Sequence, residues 1–254
     1  MLGVTSVATI SFLDDLKPRP ALLRFMVHAV AVLLMFYQIP LFDWPLWLLL
    51  VALIVCIGTI SAFNFMDGIN GITGVYGLVS LGSFAFVNVY IVSFTDDVLI
   101  LALGLAMLVF LFFNFRKFAT CFAGDVGSVT IAYVQIFFLL QLIHKTNNFY
   151  WVLIFLVYGL DSVITIVYRI RNNENIFKAH RTHLYQYLSN EMGMSHRFVS
   201  VLYGGVQLVI NSILIINLQF GTLIPVFSLI AVTLVLYFLF RSHVVRGIAR
   251  KQNE

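Results

Sequence analysis

The chain has 254 residues, 61% of them hydrophobic and only 10% charged, with a formal net charge of +4. Soluble domains carry roughly a quarter charged residues, so this composition excludes a soluble globular protein. The mean hydropathy of +0.99 equally excludes a disordered one. The basic excess reads as membrane anchoring charge rather than a nucleic-acid footprint, and two cysteines, Cys56 and Cys121, make no disulfide framework.

Taken in chain order, residues 1–13 are apolar but too short to cross a bilayer at about 1.5 Å per residue. They read as the end of a helix whose beginning lies outside the sequence. Eight full spans follow, at 21–38, 45–62, 72–93, 98–113, 126–143, 149–168, 198–217 and 222–240. The expected fold is therefore all-α: a polytopic helical bundle of about eight transmembrane helices plus a partial N-terminal one. It forms a single membrane-embedded domain, 1–254, with a long loop at 169–197. In this alternating topology, fourteen of the fifteen Lys and Arg residues fall on one side and only Lys145 on the other. The positive-inside rule makes the side holding 14–20, 63–71, 114–125 and 169–197 cytoplasmic. The opposite connections are short, so the expected chemistry is cytoplasmic.

Few acids are present, and five of the eleven stand out. Asp14 and Asp15 close the first apolar segment, where the helix dipole disfavours negative charge and adjacent carboxylates repel. A divalent cation would relieve that repulsion. An oxygen-only donor set favours Mg²⁺ or a similar hard ion, Mn²⁺ being the alternative. The second cluster is Asn64-Phe65-Met66-Asp67-Gly68-Ile69-Asn70-Gly71, in which Asn64 and Asp67 share a face if helical. Its glycines permit close backbone approach by a helix or a ligand, and the amides and carboxylate among them favour the ligand. The third is Gly124-Asp125-Val126-Gly127-Ser128, where free N–H groups at a helix start suit phosphate oxygens. Just before it, Phe122 is either core or an aromatic face for a base, and Arg116 and Lys117 read as anchoring charge. The fourth, Lys178-Ala179-His180-Arg181-Thr182-His183, sets two imidazoles around a guanidinium, a pattern suited to phosphate contact. Asp161 lies within a span and reads as a brace against a basic residue of another helix.

Together these clusters resemble one family, the polyprenyl-phosphate N-acetylhexosamine-1-phosphate transferases. The matching stretches are Phe12-Leu13-Asp14-Asp15-Leu16, Asn64 to Gly71, Phe122-Ala123-Gly124-Asp125-Val126-Gly127-Ser128 and Ala179-His180-Arg181-Thr182-His183, in the family's order. The resemblance implies a UDP-N-acetylhexosamine donor, an undecaprenyl phosphate acceptor, UMP as leaving product and Mg²⁺ as cofactor. The His-Arg-Thr-His-Leu-Tyr-Gln form is similar to the branch that initiates O-antigen or capsule. By resemblance Asp125 holds the metal with help from Asp15, and Asp14 and Asp15 serve the acceptor phosphate. Asp67 joins them in catalysis. Asn64, Asn70, Phe122 and Gly124 line the donor site, and His180, Arg181 and His183 contact diphosphate or sugar. The implied setting is the bacterial inner membrane, with the lipid bilayer and a second copy of the chain as further partners. The family has two more helices before Asp14-Asp15, so the chain reads as N-terminally truncated. Asn70 stands where many relatives carry Asp, and Lys117-Phe118-Ala119-Thr120 replaces a Pro-Ala pair. The competing readings are an inactive truncated homologue and a membrane transporter or lipid-binding scaffold.

Overall fold

The computed structural model describes residues 1–175, 181–219 and 224–252, with side chains left out at 224–226 and 248–252. Ten helices are described: α1 (Leu2–Leu16), α2 (Ala21–Gln38), α3 (Leu46–Met66), α4 (Ile72–Tyr90), α5 (Asp97–Asn114), α6 (Gly124–Thr146), α7 (Leu156–Arg171), the single turn α8 (Leu184–Gln186), α9 (His196–Gln219) and α10 (Ile224–Gln252). Eight stretches among the described residues are long and apolar enough to cross a membrane. No strand occurs among the described residues. In hydrocarbon each backbone N–H must find its partner within the same segment, and helices alone achieve this without a closed barrel.

The breaks follow from local chemistry. Lys17 turns to extended backbone ahead of Pro18, and Pro20 caps α2, because the ring of proline excludes a preceding helical residue. Pro45 starts α3 in the same way. Gly71 opens α4 at φ +90°, a left-handed conformation that glycine adopts without strain. Its N–H donates to Asn114 Oδ1 over 2.6 Å, which ties the start of α4 to the end of α5.

Several boundaries differ from the hydropathy reading: α10, expected to end at residue 240, runs on to Gln252, and two others have a local cause. Helix α3 continues to Met66 rather than ending near residue 62, so Asn64 lies in its last turn and Asp67 at its C-cap. The span expected from residue 149 begins instead as a tight 3-10 coil, Phe149–Phe155, and becomes α-helical only at Leu156. The reason lies in polar partners that hydropathy does not register. Gln207 of α9 donates to the Leu153 carbonyl over 3.0 Å and accepts from the Val157 N–H over 2.9 Å, so a side chain satisfies the backbone where the coil changes pitch.

The interior forms around α3, α4, α6, the 149–171 segment and α9. Tyr76 and Tyr158 stack with ring centroids 3.6 Å apart, and Phe63 meets both edge-on. Tyr76 donates to Gln207, Gln207 to Asn211, and Asn211 to Ser83, making a buried polar seam from α4 to α9. Such bonds between helices replace the hydrophobic drive that lipid cannot provide. On one flank α1 packs against α6 and α2. Gly3 sits directly over Tyr133, whose hydroxyl donates to the Ala31 carbonyl over 2.8 Å. Helices α5 and α10 lie at the periphery, with 17% and 11% of their spans buried.

Candidate active site

The acids at the ends of α1, α3 and α6 meet at one end of the bundle. Asp15, at the end of α1, places its carboxylate over the start of α6, accepting from the N–H of Asp125 at 3.1 Å and of Val126 at 3.3 Å. A carboxylate in this position is stabilised by unpaired N–H groups and by the helix dipole. Gly124 makes the approach feasible: its φ is +61°, and a Cβ there would stand 2.8 Å from Asp15 Oδ2. This corrects one expectation. The N–H groups read as a phosphate cradle are held by Asp15 instead.

Asp14 takes a separate role. It accepts from the Arg19 N–H beyond the Pro-containing turn and pairs with Arg24 Nη1 at 2.6 Å. The same nitrogen lies 3.3 Å from Asp125 Oδ2. Arg24, assigned from sequence to the anchoring charge, thus bridges α1 and α6. The repulsion between Asp14 and Asp15 is relieved by protein groups, a guanidinium for one and helix N–H donors for the other. One signal was available: a cation near the N-terminus of α2 opposes the helix dipole and needs a partner elsewhere.

Asn64, in the last turn of α3, lies beside the Asp125 carboxyl. One turn on, Asp67 Oδ1 accepts from Thr73 over 2.6 Å. Burial pushes the Asp67 carboxyl up to about 6; the Thr73 bond opposes this, and the negative charges of Asp125 and Asp15 add to it. Asp14, Asp15, Asp67, Asp125 and Asn64 therefore belong to one electrostatic cluster. Arg24 is the only cation paired with its acids among the described residues. Oxygen donors predominate, the chemistry a hard cation prefers, yet no three His, Cys, Asp or Glu among the described residues form a ready-made cage.

The remaining sequence-derived candidates distribute as follows. Phe122 is 70% exposed in the loop before α6, with its ring face available. Asn70 ties loops together: its Nδ2 donates to the Arg116 carbonyl over 3.0 Å, and its own carbonyl accepts from Ser200 over 2.9 Å. The glycines around it meet protein rather than a cavity, with Gly68 against Tyr185, Gly71 against Phe115 and Gly74 against Leu111. The ligand reading of those glycines therefore gives way to close side-chain contact. Arg181 is exposed. His183 is buried, with Nδ1 3.3 Å from Asp161 Oδ1 and its backbone N–H bonded to Gln186 Oε1. His180 lies outside the described residues.

Asp161 is a brace, as its position within a span suggested. It is fully buried, and its carboxylate accepts from Tyr203 at 2.6 Å, Tyr237 at 3.0 Å and the Leu184 N–H at 3.1 Å. Arg241 Nη1 stands 3.9 Å away.

A bundle of membrane-crossing helices with acids gathered at one end defines a multi-pass membrane protein with a polar site at its rim. The chain belongs to glycosyl transferase family 4, which matches residues 1–143, more than half of its length and the whole stretch from Asp14 to Asp125. It is accordingly a transferase of the class that joins sugar 1-phosphates to polyprenyl phosphates. No curated protein matches the chain.

Proposed function

We propose that the protein transfers an N-acetylhexosamine 1-phosphate from its UDP-sugar to undecaprenyl phosphate, releasing UMP and starting a cell-surface polysaccharide. The observation that carries this reading is the convergence of Asp14, Asp15, Asp67 and Asp125 at the ends of three separate helices, with the guanidinium of Arg24 pairing only Asp14 and Asp125. In the reaction an oxygen of the acceptor phosphate attacks the sugar-bearing phosphorus of the donor. The bond from that phosphorus to the oxygen bridging the two phosphates breaks, and UMP departs with that oxygen. Both reactants are anions, so positioning and charge neutralisation dominate the barrier.

The donor set fits Mg²⁺, or Mn²⁺ in its place, held by Asp125 and Asp67 with Asn64 beside them. This ion characteristically uses one or two carboxylates and completes its shell with water and substrate phosphates. When bound, it supplies neutralisation of the diphosphate and of the departing UMP. Asp15 is the scaffold that fixes the start of α6, and hence the direction of Asp125. Asp14, held by Arg24, orients the acceptor phosphate, while Arg24 offsets the charge of two acids that would otherwise repel it. Phe122 offers its ring to the uracil, and Arg181 its guanidinium to the diphosphate. The bilayer holds the prenyl tail, which accounts for a site at the rim of a helical bundle. The basic residues at this end support a cytoplasmic site in a bacterial inner membrane.

The transporter reading loses its main support, because the one acid inside the bundle, Asp161, is saturated by protein donors. The deciding experiment mixes purified protein in lipid nanodiscs with Mg²⁺, UDP-N-acetylglucosamine or its 6-deoxy analogue, and undecaprenyl phosphate. UMP release that needs all three components is the expected result. Absence of UMP with every UDP-N-acetylhexosamine offered would remove the reading.

A further inference from the structure

Helix α10 is nearly unpartnered along its length, yet it is tightly held near its middle. Arg241 is buried and lies between the rings of Tyr168 and Tyr187, 5.7 Å from each centroid. It donates to Thr165 Oγ1 at 3.1 Å and to the Thr182 carbonyl at 3.0 Å. One turn earlier on α10, Tyr237 donates to Asp161. The same carboxylate receives the Leu184 N–H and faces His183. Asp161 of α7 and Arg241 of α10 thus clamp the segment at 182–187 from two sides, with Tyr203 of α9 as a third support.

From that segment Tyr185 reaches the acid site. Its hydroxyl donates to the Phe65 carbonyl over 2.9 Å, and its ring covers Gly68 so closely that a Cβ there would overlap it. Phe65 and Gly68 flank Asp67, and Asn64 precedes them. The contacts run without a gap from Arg241 through Asp161 and Leu184 to Tyr185, and from there to the end of α3.

We infer that Asp161 and Arg241 are positioning residues for the donor side of the site: the pair seats the 182–187 segment, and Tyr185 from that segment sets the end of α3 that carries Asn64 and Asp67. The clamp lies in α7 and α10, beyond residue 143, and acts on groups within the matched region. Neither Asp161 nor Arg241 touches the acid cluster, so their effect is on geometry rather than on bond making. The kinetic part of this inference rests on the transferase reading; the structural part does not.

The test uses the full chain in nanodiscs and two readouts. Amide hydrogen exchange is followed at 64–71, at 184–191 and, as internal reference, in α6. Donor and acceptor KM are measured separately from kcat. Arg241→Met is expected to speed exchange about tenfold at both 184–191 and 64–71, with α6 unchanged, and to raise donor KM about tenfold while acceptor KM holds. Arg241→Lys is expected to recover most of the loss. Tyr185→Phe, which deletes one hydroxyl, should loosen 64–71 alone, and it decides the matter if Arg241→Met does not fold. Unchanged exchange at 64–71 in the variants that fold would overturn the inference, as would equal shifts in donor and acceptor KM. The expected exchange pattern in a protein that releases no UMP would uphold the clamp and reject the transferase reading, so the two failures are separable.

Discussion

Two carboxylate centres in this molecule differ in how their charge is balanced. Around Asp161, one acid is met by two tyrosine hydroxyls, a backbone N–H, an imidazole and a guanidinium, and it is sealed from solvent. At the rim, four acids gather near one arginine that pairs with only two of them, Asp14 and Asp125, and the Asp125 side chain is 25% exposed. Saturated donors around a buried charge are the mark of structure, since removing a partner strands the charge. A surplus of acid over cation is the mark of a place that expects a ligand, because only added positive charge completes it.

Removing the surplus at its centre has the largest expected effect. Asp125→Ala should lower UMP release by about a thousandfold or more while thermal stability in nanodiscs holds, because it removes a carboxylate that holds the charge-neutralising cation rather than a brace. At the buried centre the larger loss should be of stability. Arg241→Met is expected to destabilise the protein by roughly 3–5 kcal/mol, read by unfolding in detergent, since it leaves Asp161 without its guanidinium. A smaller effect is expected at the aromatic edge of the rim. Phe122→Ala should cost about 1–3 kcal/mol of donor binding, seen as a raised donor KM with acceptor KM unchanged.

Gly124→Ala tests the backbone under the rim. A left-handed φ and a Cβ 2.8 Å from Asp15 should cost about 1–2 kcal/mol of stability and loosen the cap on α6. The smallest effect is the titration of Asp67. Its carboxyl is raised to about 6, so without divalent cation the ionised form is disfavoured in the folded protein. That penalty is present above about pH 6 and is relieved as pH falls through it, so acidification should slightly stabilise the cation-free protein. With cation the direction reverses, because proton and metal compete for one carboxylate. Mg²⁺ affinity measured by calorimetry should be nearly flat above pH 7 and weaken by up to about tenfold per unit below 6.

Much of this architecture was legible from amino-acid order. The span at Ala21–Gln38 coincides with its expected limits, since proline and amide punctuation brackets an unbroken apolar run. The convergence of Asp15, Asp67 and Asp125 follows from placing three helix ends on one side. What escaped were relations that no local pattern encodes. Arg24 resembled any anchoring cation, because its partners lie ten and a hundred and one positions away. Gln207 sits in an apolar run like a tolerated impurity, yet it reshapes the entry to α7 from another helix. The His180–His183 pattern pointed to phosphate, whereas the geometry around His183 is set by a carboxylate twenty-two residues upstream. Chemistry carried by helix ends can thus be read in advance, but a contact across the bundle has no signature until the helices are assembled.

The polar seam from Tyr76 to Asn211 bears on how the protein is made. Gln207 and Asn211 lower the affinity of α9 for hydrocarbon, since an unmet amide there is costly. Their partners at Tyr76, Ser83, Leu153 and Val157 all precede them in the chain, so they leave the ribosome first. During synthesis α9 therefore arrives at a prepared berth and can partition against its neighbours rather than against bare lipid.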